Sequence, residues 1–137
     1  MEQDNVNHPA HYEQGFETRT VECIDITRHL PFALGNAVKY VWRAGKKGDL
    51  AKAMEDLDKA QWYADEWASV CGNPTERPHW LTTARAVFNL VIYPQGGGPE
   101  AYRYTAIDLL LGYEFDLWEI KEHIDDLREA LKKEMAE

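Results

Sequence analysis

Apolar residues near the end of the chain recur with the spacing of an α-helix. Leu117, Ile120, Ile124, Leu127 and Leu131 are separated by three, four, three and four positions, which places all five on one helical face. The same period of about 3.6 residues recurs in earlier segments, which glycines and prolines separate. The sequence therefore predicts an all-α fold, a compact domain of about six helices.

Local signals predict where these helices begin and end. Thr18 or Thr20 could cap the first helix, and Asp49 could cap the third. Gly45 suits the left-handed backbone conformation that often ends an α-helix, here the second. Residues 87–93 are apolar and leave helix and strand both open. The predicted helices cover about residues 21–30, 33–44, 50–71, 79–92, 100–111 and 114–135.

The chain of 137 residues divides at Gly72-Asn73-Pro74, a strong turn signal. We expect one domain over residues 1–72, with an N-terminal arm, and a C-terminal helical extension over 73–137 packed on the first half. Cys23 and Cys71 lie far apart in helical contexts, so we expect buried free thiols rather than a disulfide.

The first residues contain neither a basic region nor an apolar run typical of a signal peptide. No segment approaches the roughly 20 apolar residues that span a bilayer. We therefore expect a cytoplasmic protein with no membrane partner, in the host cytoplasm if a phage encodes it. The net charge of −9 argues against a nucleic-acid partner, because such proteins carry a basic surface.

One segment of this acidic chain is basic. Residues 36–52 contain Lys39, Arg43, Lys46, Lys47 and Lys52 against one acidic side chain, a local charge of +4. Cations at a helix C-terminus interact favourably with its dipole, by about 0.3–1 kcal/mol each, which could explain the pattern without any ligand. The alternative interpretation is a site for a small anionic ligand.

Helical spacing supports a ligand site. Asn36, Lys39, Tyr40, Arg43 and Lys47 share the helix face opposite its apolar residues. The turn that follows the helix, residues 45–49, then places two lysines beside the free N–H groups of the next helix, where anions bind well. This turn is not a Walker P-loop, since no serine or threonine follows the lysine and no strand precedes it.

The third helix adds further polar groups. Glu55, Asp56 and Lys59 lie within one turn of each other, and Trp62 and Tyr63 follow outside the apolar stripe. Carboxylates, an ammonium group and aromatic faces together suit a base, a sugar and a phosphate.

The N-terminal arm is dense in hydrogen-bonding and titratable groups, namely Asn7, His8, His11 and Tyr12. A histidine there could contact phosphate or move a proton, since its pKa is near neutral, or could simply hold the arm to the body. The His8–His11 spacing is not a strong zinc motif and no cysteine lies nearby, so we assign no metal site.

Five motifs in order make the first half similar to a known family. They are Asn7-His8-Pro9-Ala10-His11-Tyr12, Glu22-Cys23-Ile24-Asp25, Gly35-Asn36-Ala37-Val38-Lys39-Tyr40-Val41-Trp42-Arg43, Lys47-Gly48-Asp49 and Glu55-Asp56-Leu57-Asp58-Lys59-Ala60-Gln61-Trp62-Tyr63. Over about residues 5–67 the chain resembles a small phage-associated family of unknown function. Its members are labelled nucleotide kinase, after a T-odd coliphage enzyme that phosphorylates deoxynucleoside monophosphates. Residues 68–137 resemble no family.

The resemblance implies phosphoryl transfer from a nucleoside triphosphate to a deoxynucleoside monophosphate, in an oligomeric enzyme without a P-loop. Magnesium is possible as a cofactor but not required. The candidate catalytic residues are His11, Lys39, Arg43 and Asp56. The candidate substrate-binding residues are Asn7, His8, Tyr12, Asn36, Tyr40, Lys46, Lys47, Lys59 and Tyr63. Of these, Asn7 of the arm and Lys46 of the turn are added to the residues that the resemblance implies.

Three other functions remain open. All-α nucleoside triphosphate pyrophosphatases hold magnesium with carboxylates three or four apart, a spacing found at Glu55 and Asp58 and again at Glu119, Glu122 and Asp125. A phage protein that only binds or sequesters a nucleotide would use the same basic surface. A scaffolding protein could self-associate through the apolar face of residues 117–131, although that face suits an intramolecular core equally well.

Overall fold

The computed structural model describes residues 21–71 and 78–136, and within these ranges every regular element is an α-helix. The predicted all-α fold is confirmed. The helices are α1 (Cys23–Thr27), α2 (Phe32–Arg43), α3 (Leu50–Cys71), α4 (His79–Phe88), α5 (Pro99–Leu110) and α6 (Leu117–Met135).

Helix α1 is shorter than the predicted 21–30. It begins after Glu22, whose backbone N–H donates to the Asp25 carboxylate at 2.9 Å in a reciprocal capping box. It ends early because Pro31 disfavours helical geometry at Leu30, whose N–H instead donates to the Thr27 carbonyl three residues back. The alternative caps Thr18 and Thr20 lie outside the described residues.

Helix α4 ends at Phe88, so the prediction of a helix to residue 92 was wrong. The strand alternative for 87–93 was also wrong. The N–H groups of Leu90 and Val91 donate to carbonyls three residues back, which tightens the helix end into a turn. Helix α6 likewise begins at Leu117 rather than at 114, because Asp116 caps it by accepting from the Glu119 N–H.

The turn between α2 and α3 forms as predicted. Gly45 has a φ of +81°, and Asp49 accepts from the Lys52 N–H at 2.9 Å. A Cβ at Gly45 would lie 2.7 Å from the Leu131 side chain. This turn is therefore fixed both by backbone geometry and by the close approach of α6.

Helix α2 packs against α3 and α5, while α6 packs against α3 and α5 and α1 packs against α2 and α4. A single apolar cluster joins residues from both halves of the chain. Four of the five residues of the predicted α6 face are buried in it, and Leu117 is half-buried. No helix within the described ranges is long and apolar enough to cross a membrane.

Cys23 and Cys71 do not form a disulfide with each other, and each is partly rather than fully buried. Cys23 is the more desolvated of the two, and burial raises its pKa from 9.0 to about 11, although the nearby Lys39 and Lys46 act in the opposite direction.

A buried arginine connects the two halves. Arg103 of α5 is 5% exposed, and its Nη1 donates to the carbonyl oxygens of Val41 at 2.6 Å and Trp42 at 3.1 Å. These carbonyls belong to the last turn of α2, where no intrahelical donor is available. Arg103 therefore satisfies the C-terminus of the helix that carries Lys39 and Arg43.

Candidate functional site

Three cations surround the ring of Tyr40. The Lys39 ammonium lies 5.0 Å from the ring centroid, the Lys59 ammonium 5.5 Å and the Arg43 guanidinium carbon 4.9 Å. Tyr40 follows Lys39 directly on α2 and precedes Arg43 by three residues, whereas Lys59 comes from α3. Two of the three cations therefore lie on the same helix as Tyr40, and the packing of α2 against α3 adds the third.

Asp56 lies beneath these cations and is only 1% exposed. Its Oδ1 accepts from Arg43 Nη2 at 3.2 Å and Nε at 3.4 Å, and it lies 3.3 Å from the Lys52 ammonium. A buried carboxylate is stable only when it is paired. Asp56 thus anchors Arg43 at one edge of its guanidinium group, and Arg43 Nη1 has no partner among the described residues.

Glu55 and Lys59 form a second ion pair on the exposed side of α3, at 3.0 Å. The hydrogen bond from Lys59 is the main reason that the pKa of Glu55 is lowered, and the same bond raises the pKa of Lys59. Lys59 is consequently fully charged at neutral pH.

Aromatic side chains continue the surface from Tyr40. The Tyr63 ring stacks beside Tyr40 with a centroid distance of 5.9 Å and an interplanar angle of 8°, and Phe32 and Trp62 meet Tyr63 edge-on. Phe32 is 78% exposed and Trp62 is 60% exposed. Large apolar rings left in solvent beside cations offer a stacking surface next to a charged one.

We call these residues the Tyr40 cluster: Phe32, Lys39, Tyr40, Arg43, Lys52, Glu55, Asp56, Lys59, Trp62 and Tyr63. Four cations face two carboxylates in it, so the cluster keeps an excess positive charge of two. An anion held about 4 Å from one of these cations would gain roughly 1–4 kcal/mol, depending on how much water remains. The cluster therefore combines positive charge with aromatic faces, a combination that suits a phosphate beside a planar group.

The structure brings together six of the predicted site residues: Lys39, Tyr40, Arg43, Lys59 and Tyr63 lie in this cluster together with the buried Asp56. Asn36 is half-buried on α2, one helical turn before Tyr40, and Lys47 is exposed in the turn after α2. The predicted arm residues Asn7, His8, His11 and Tyr12 lie outside the described residues.

Lys46 lies apart from the cluster. Its ammonium is 5.6 Å from the centroid of the Trp42 ring, and it lines a recess together with Arg103 of α5. Much of the side chain is exposed, yet desolvation lowers the pKa of the ammonium group, and the charge of Arg103 lowers it further.

Three of the five carboxylates whose spacing suggested a metal-dependent pyrophosphatase, Glu55, Asp58 and Asp125, are held in ion pairs, and Glu122 accepts a hydrogen bond from the Trp118 indole. Asp58 accepts from Arg128 at 2.9 Å, and Arg128 also binds Asp125. Across residues 21–71 and 78–136, no group of three His, Cys, Asp or Glu side chains could hold a metal ion. The described residues therefore do not fit a protein-held magnesium site.

Four residues of the cluster were not among the candidate catalytic or substrate-binding residues, namely Phe32, Lys52, Glu55 and Trp62. The sequence had indicated Glu55 and Trp62 only as polar and aromatic groups close to Asp56. Lys52 precedes Asp56 by four positions, a spacing that brings side chains together on a helix and could have revealed the pair. Phe32 follows Pro31 at the start of α2, and nothing in the local sequence indicates that its ring would meet Tyr63 on another helix.

Comparison with known proteins places the similarity in the part of the chain that carries the cluster. Residues 6–65 match the model of a family described as a protein of unknown function, DUF3310. The chain is also similar to the Gene 1.7 protein of Enterobacteria phage T3, with 37% identity over 65 residues. The match covers 44% of this chain and 40% of that protein, so the chain matches about two fifths of its relative's length. No solved structure matches the chain.

Proposed function

We propose that this protein is a phage-type nucleotide kinase, which transfers a phosphoryl group from a nucleoside triphosphate to a deoxynucleoside monophosphate at the Tyr40 cluster. The observation that carries the proposal is the set of three cations around Tyr40 beside exposed aromatic rings. The reaction type comes from the resemblance of the first half to kinase-labelled phage proteins. The geometry supports the proposal because cations that suit phosphates lie beside aromatic rings that suit a base.

Phosphoryl transfer asks little covalent chemistry of a protein, because its transition state is stabilised mainly by positioning and by positive charge. Arg43 meets the positioning requirement, since Asp56 fixes one edge of its guanidinium group and Nη1 is left to donate to a phosphate oxygen. Lys39 and Lys59 supply further charge on the other sides of the Tyr40 ring. Trp62 and Phe32 offer faces on which a base can stack.

In this proposal Asp56 is a positioning residue rather than a proton acceptor. Its Oδ1 is paired with both Arg43 and Lys52, and with the side chain 1% exposed the carboxylate has almost no surface to offer an acceptor hydroxyl or phosphate. No step is assigned to a protein-held metal, because the described carboxylates offer no such site.

The pairing of the cluster's carboxylates favours a second candidate function, a protein that binds or sequesters a nucleotide without transforming it. Both described carboxylates of the cluster are engaged in ion pairs, which leaves the cluster with cations for binding but no free carboxylate as a base. The two functions share one ligand site and differ in whether product forms.

Chromatography of nucleotides separates them. Purified protein is incubated with deoxynucleoside monophosphates and a triphosphate donor, with magnesium and with chelator, and compared with a Lys39→Gln/Arg43→Gln variant. The matched control is Lys132→Gln/Lys133→Gln, which removes two exposed cations from α6. We expect deoxynucleoside diphosphate from wild type and control, and at least a hundredfold less from the cluster variant.

Equal product from the cluster variant would contradict the proposed site. Unchanged nucleotides together with tight binding would replace the kinase proposal with the binding proposal.

A further inference from the structure

A recess of about 160 Å³ lies on the other side of α2, between the turn after α2, the end of α4 and the start of α5. Its floor is apolar and well ordered by packing, since Phe88 is 1% exposed and Ile107 2%. Its lining residues are Trp42, Lys46, Phe88, Val91, Ile92, Pro94, Glu100, Arg103, Tyr104 and Ile107. None of them belongs to the Tyr40 cluster.

Aromatic rings form much of the wall. The rings of Phe88 and Tyr104 are in contact at a centroid distance of 4.7 Å, and Trp42 lies across the recess under the Lys46 ammonium. Flat aromatic walls around a space of this size suit a planar ring, because stacked and edge-to-face contacts both become available. A cavity of about 150 Å³ accepts one benzene ring, so this recess has room for a single six-membered ring.

The charged groups gather at the edge of the recess. Arg103 uses Nη1 for the α2 carbonyls and Nε for Glu100 at 3.0 Å, and its Nη2 has no hydrogen-bond partner among the described residues. Lys46 forms no ion pair with any described residue, although its ammonium is partly desolvated. Lys46 and Arg103 against Glu100 leave one uncompensated positive charge.

We propose that this recess is a binding site for a small aromatic monoanion, a single six-membered ring that carries one carboxylate. The ring occupies the space between Trp42, Phe88 and Tyr104, and the carboxylate accepts from the Lys46 ammonium. The single negative charge of the ligand balances the one uncompensated positive charge. The bound anion thereby offsets the repulsion between the Lys46 and Arg103 cations.

Calorimetric titration of the full chain with benzoate tests this site directly. Two probes separate its two requirements, since benzyl alcohol has the ring without the charge and acetate has the charge without the ring. We expect saturable one-to-one binding of benzoate, and at least tenfold weaker binding of both other probes. Absence of saturable benzoate binding overturns the proposal, as does benzyl alcohol or acetate binding as tightly as benzoate.

A pair of lysine variants locates the binding. Lys46→Met keeps the aliphatic side chain and removes the charge at an exposed position, so the fold is preserved. It should weaken benzoate at least tenfold. Lys133→Met, a change of the same kind at an exposed lysine of α6, should leave the affinity unchanged. Equal benzoate affinity of wild type and Lys46→Met contradicts the assignment.

Discussion

At the scale of single residues, burial decides what Asp56 can do. In the sequence it is one of several carboxylates on α3, and its spacing from Glu55 and Lys59 suggested a group that could act on a substrate. In the structure it is 1% exposed and paired with two cations. It is buried because it lies three residues after Ala53, on the buried face of α3. A side chain can belong to a site by holding another side chain in place.

Asp56→Asn should therefore destabilise the fold, because Arg43 and Lys52 lose the charge that compensates them. Both cations keep part of their solvation, so we expect a loss of about 1–3 kcal/mol rather than the larger value for a fully buried pair. Urea unfolding measures this free energy. Asp58→Asn, on the same helix but with a 74% exposed side chain, is the matched control and should cost under about 0.5 kcal/mol. Equal losses in the two variants would contradict the anchoring role.

Cys23 gives a prediction with a defined pH dependence. Burial raises its pKa from 9.0 to about 11, so at pH 8 the folded protein should hold about 100-fold less thiolate at this position than the unfolded chain. In a Cys71→Ala variant, where Cys23 is the remaining cysteine, iodoacetamide labelling followed by mass spectrometry should be slow in buffer. It should become fast in denaturing urea.

The raised pKa of Cys23 also predicts how the labelling rate depends on pH in alkaline buffer. The labelling rate of the folded protein should keep rising from pH 9 to about 11, whereas the unfolded chain should level off near pH 9. Because unfolding releases the Cys23 proton in that interval, stability falls there as the pH rises. A native labelling curve that levels off at pH 9 would show that Cys23 is not desolvated.

At the scale of helices, the apolar period predicted where each helix is but not where it ends. Asp49 and Gly45 were predictable because a capping carboxylate and a left-handed glycine act within three or four residues. The end of α4 was not predictable from the sequence. There, hydrogen bonds to carbonyls three residues back replace the α-helical bonds, although no glycine or proline occurs between Phe88 and Pro94. The C-terminus of α2 depends on Arg103, 61 and 62 residues away, and no local signal indicates it.

Arg103→Met should therefore destabilise the protein by about 2–4 kcal/mol, because two helix-terminal carbonyls lose a charged donor while the aliphatic packing is retained. Urea unfolding followed by circular dichroism measures the loss. Arg28→Met is the control, since Arg28 is 57% exposed and bonds the Ile24 carbonyl of its own helix. It should cost under about 1 kcal/mol. A loss at Arg103 no larger than at Arg28 would contradict the capping role.

At the scale of the whole molecule, the two halves share one core. Ile120, Ile124 and Leu127 of α6 are fully buried in the same cluster as residues of α2 and α3. Ion pairs also connect the halves, such as Arg128 with Asp58 at 2.9 Å and Lys121 with Asp65 at 2.8 Å. The apolar period predicted which face of α6 is buried. It did not predict these two ion pairs, whose partners are 56 and 70 residues apart in the sequence, because they depend on tertiary packing.

A fragment of residues 1–72 should therefore fail to fold alone, although it contains all of residues 6–65, which match the family model. Removing α5 and α6 exposes the buried faces of α2 and α3 and leaves the α2 carbonyls without Arg103. Circular dichroism should show low helicity and no cooperative urea transition, in contrast to the full chain. A cooperative transition of the fragment would show that the first half is an independent domain.

Binding of a nucleotide at the Tyr40 cluster is tested by the affinity of the protein for thymidine monophosphate. Calorimetric titration should show saturable binding to the wild type and to Arg28→Gln, whose arginine is exposed and outside the cluster. Arg43→Gln should bind at least tenfold more weakly, because the anchored guanidinium group is lost. Absence of binding to the wild type, or equal affinity of the Arg43→Gln variant, would contradict the account.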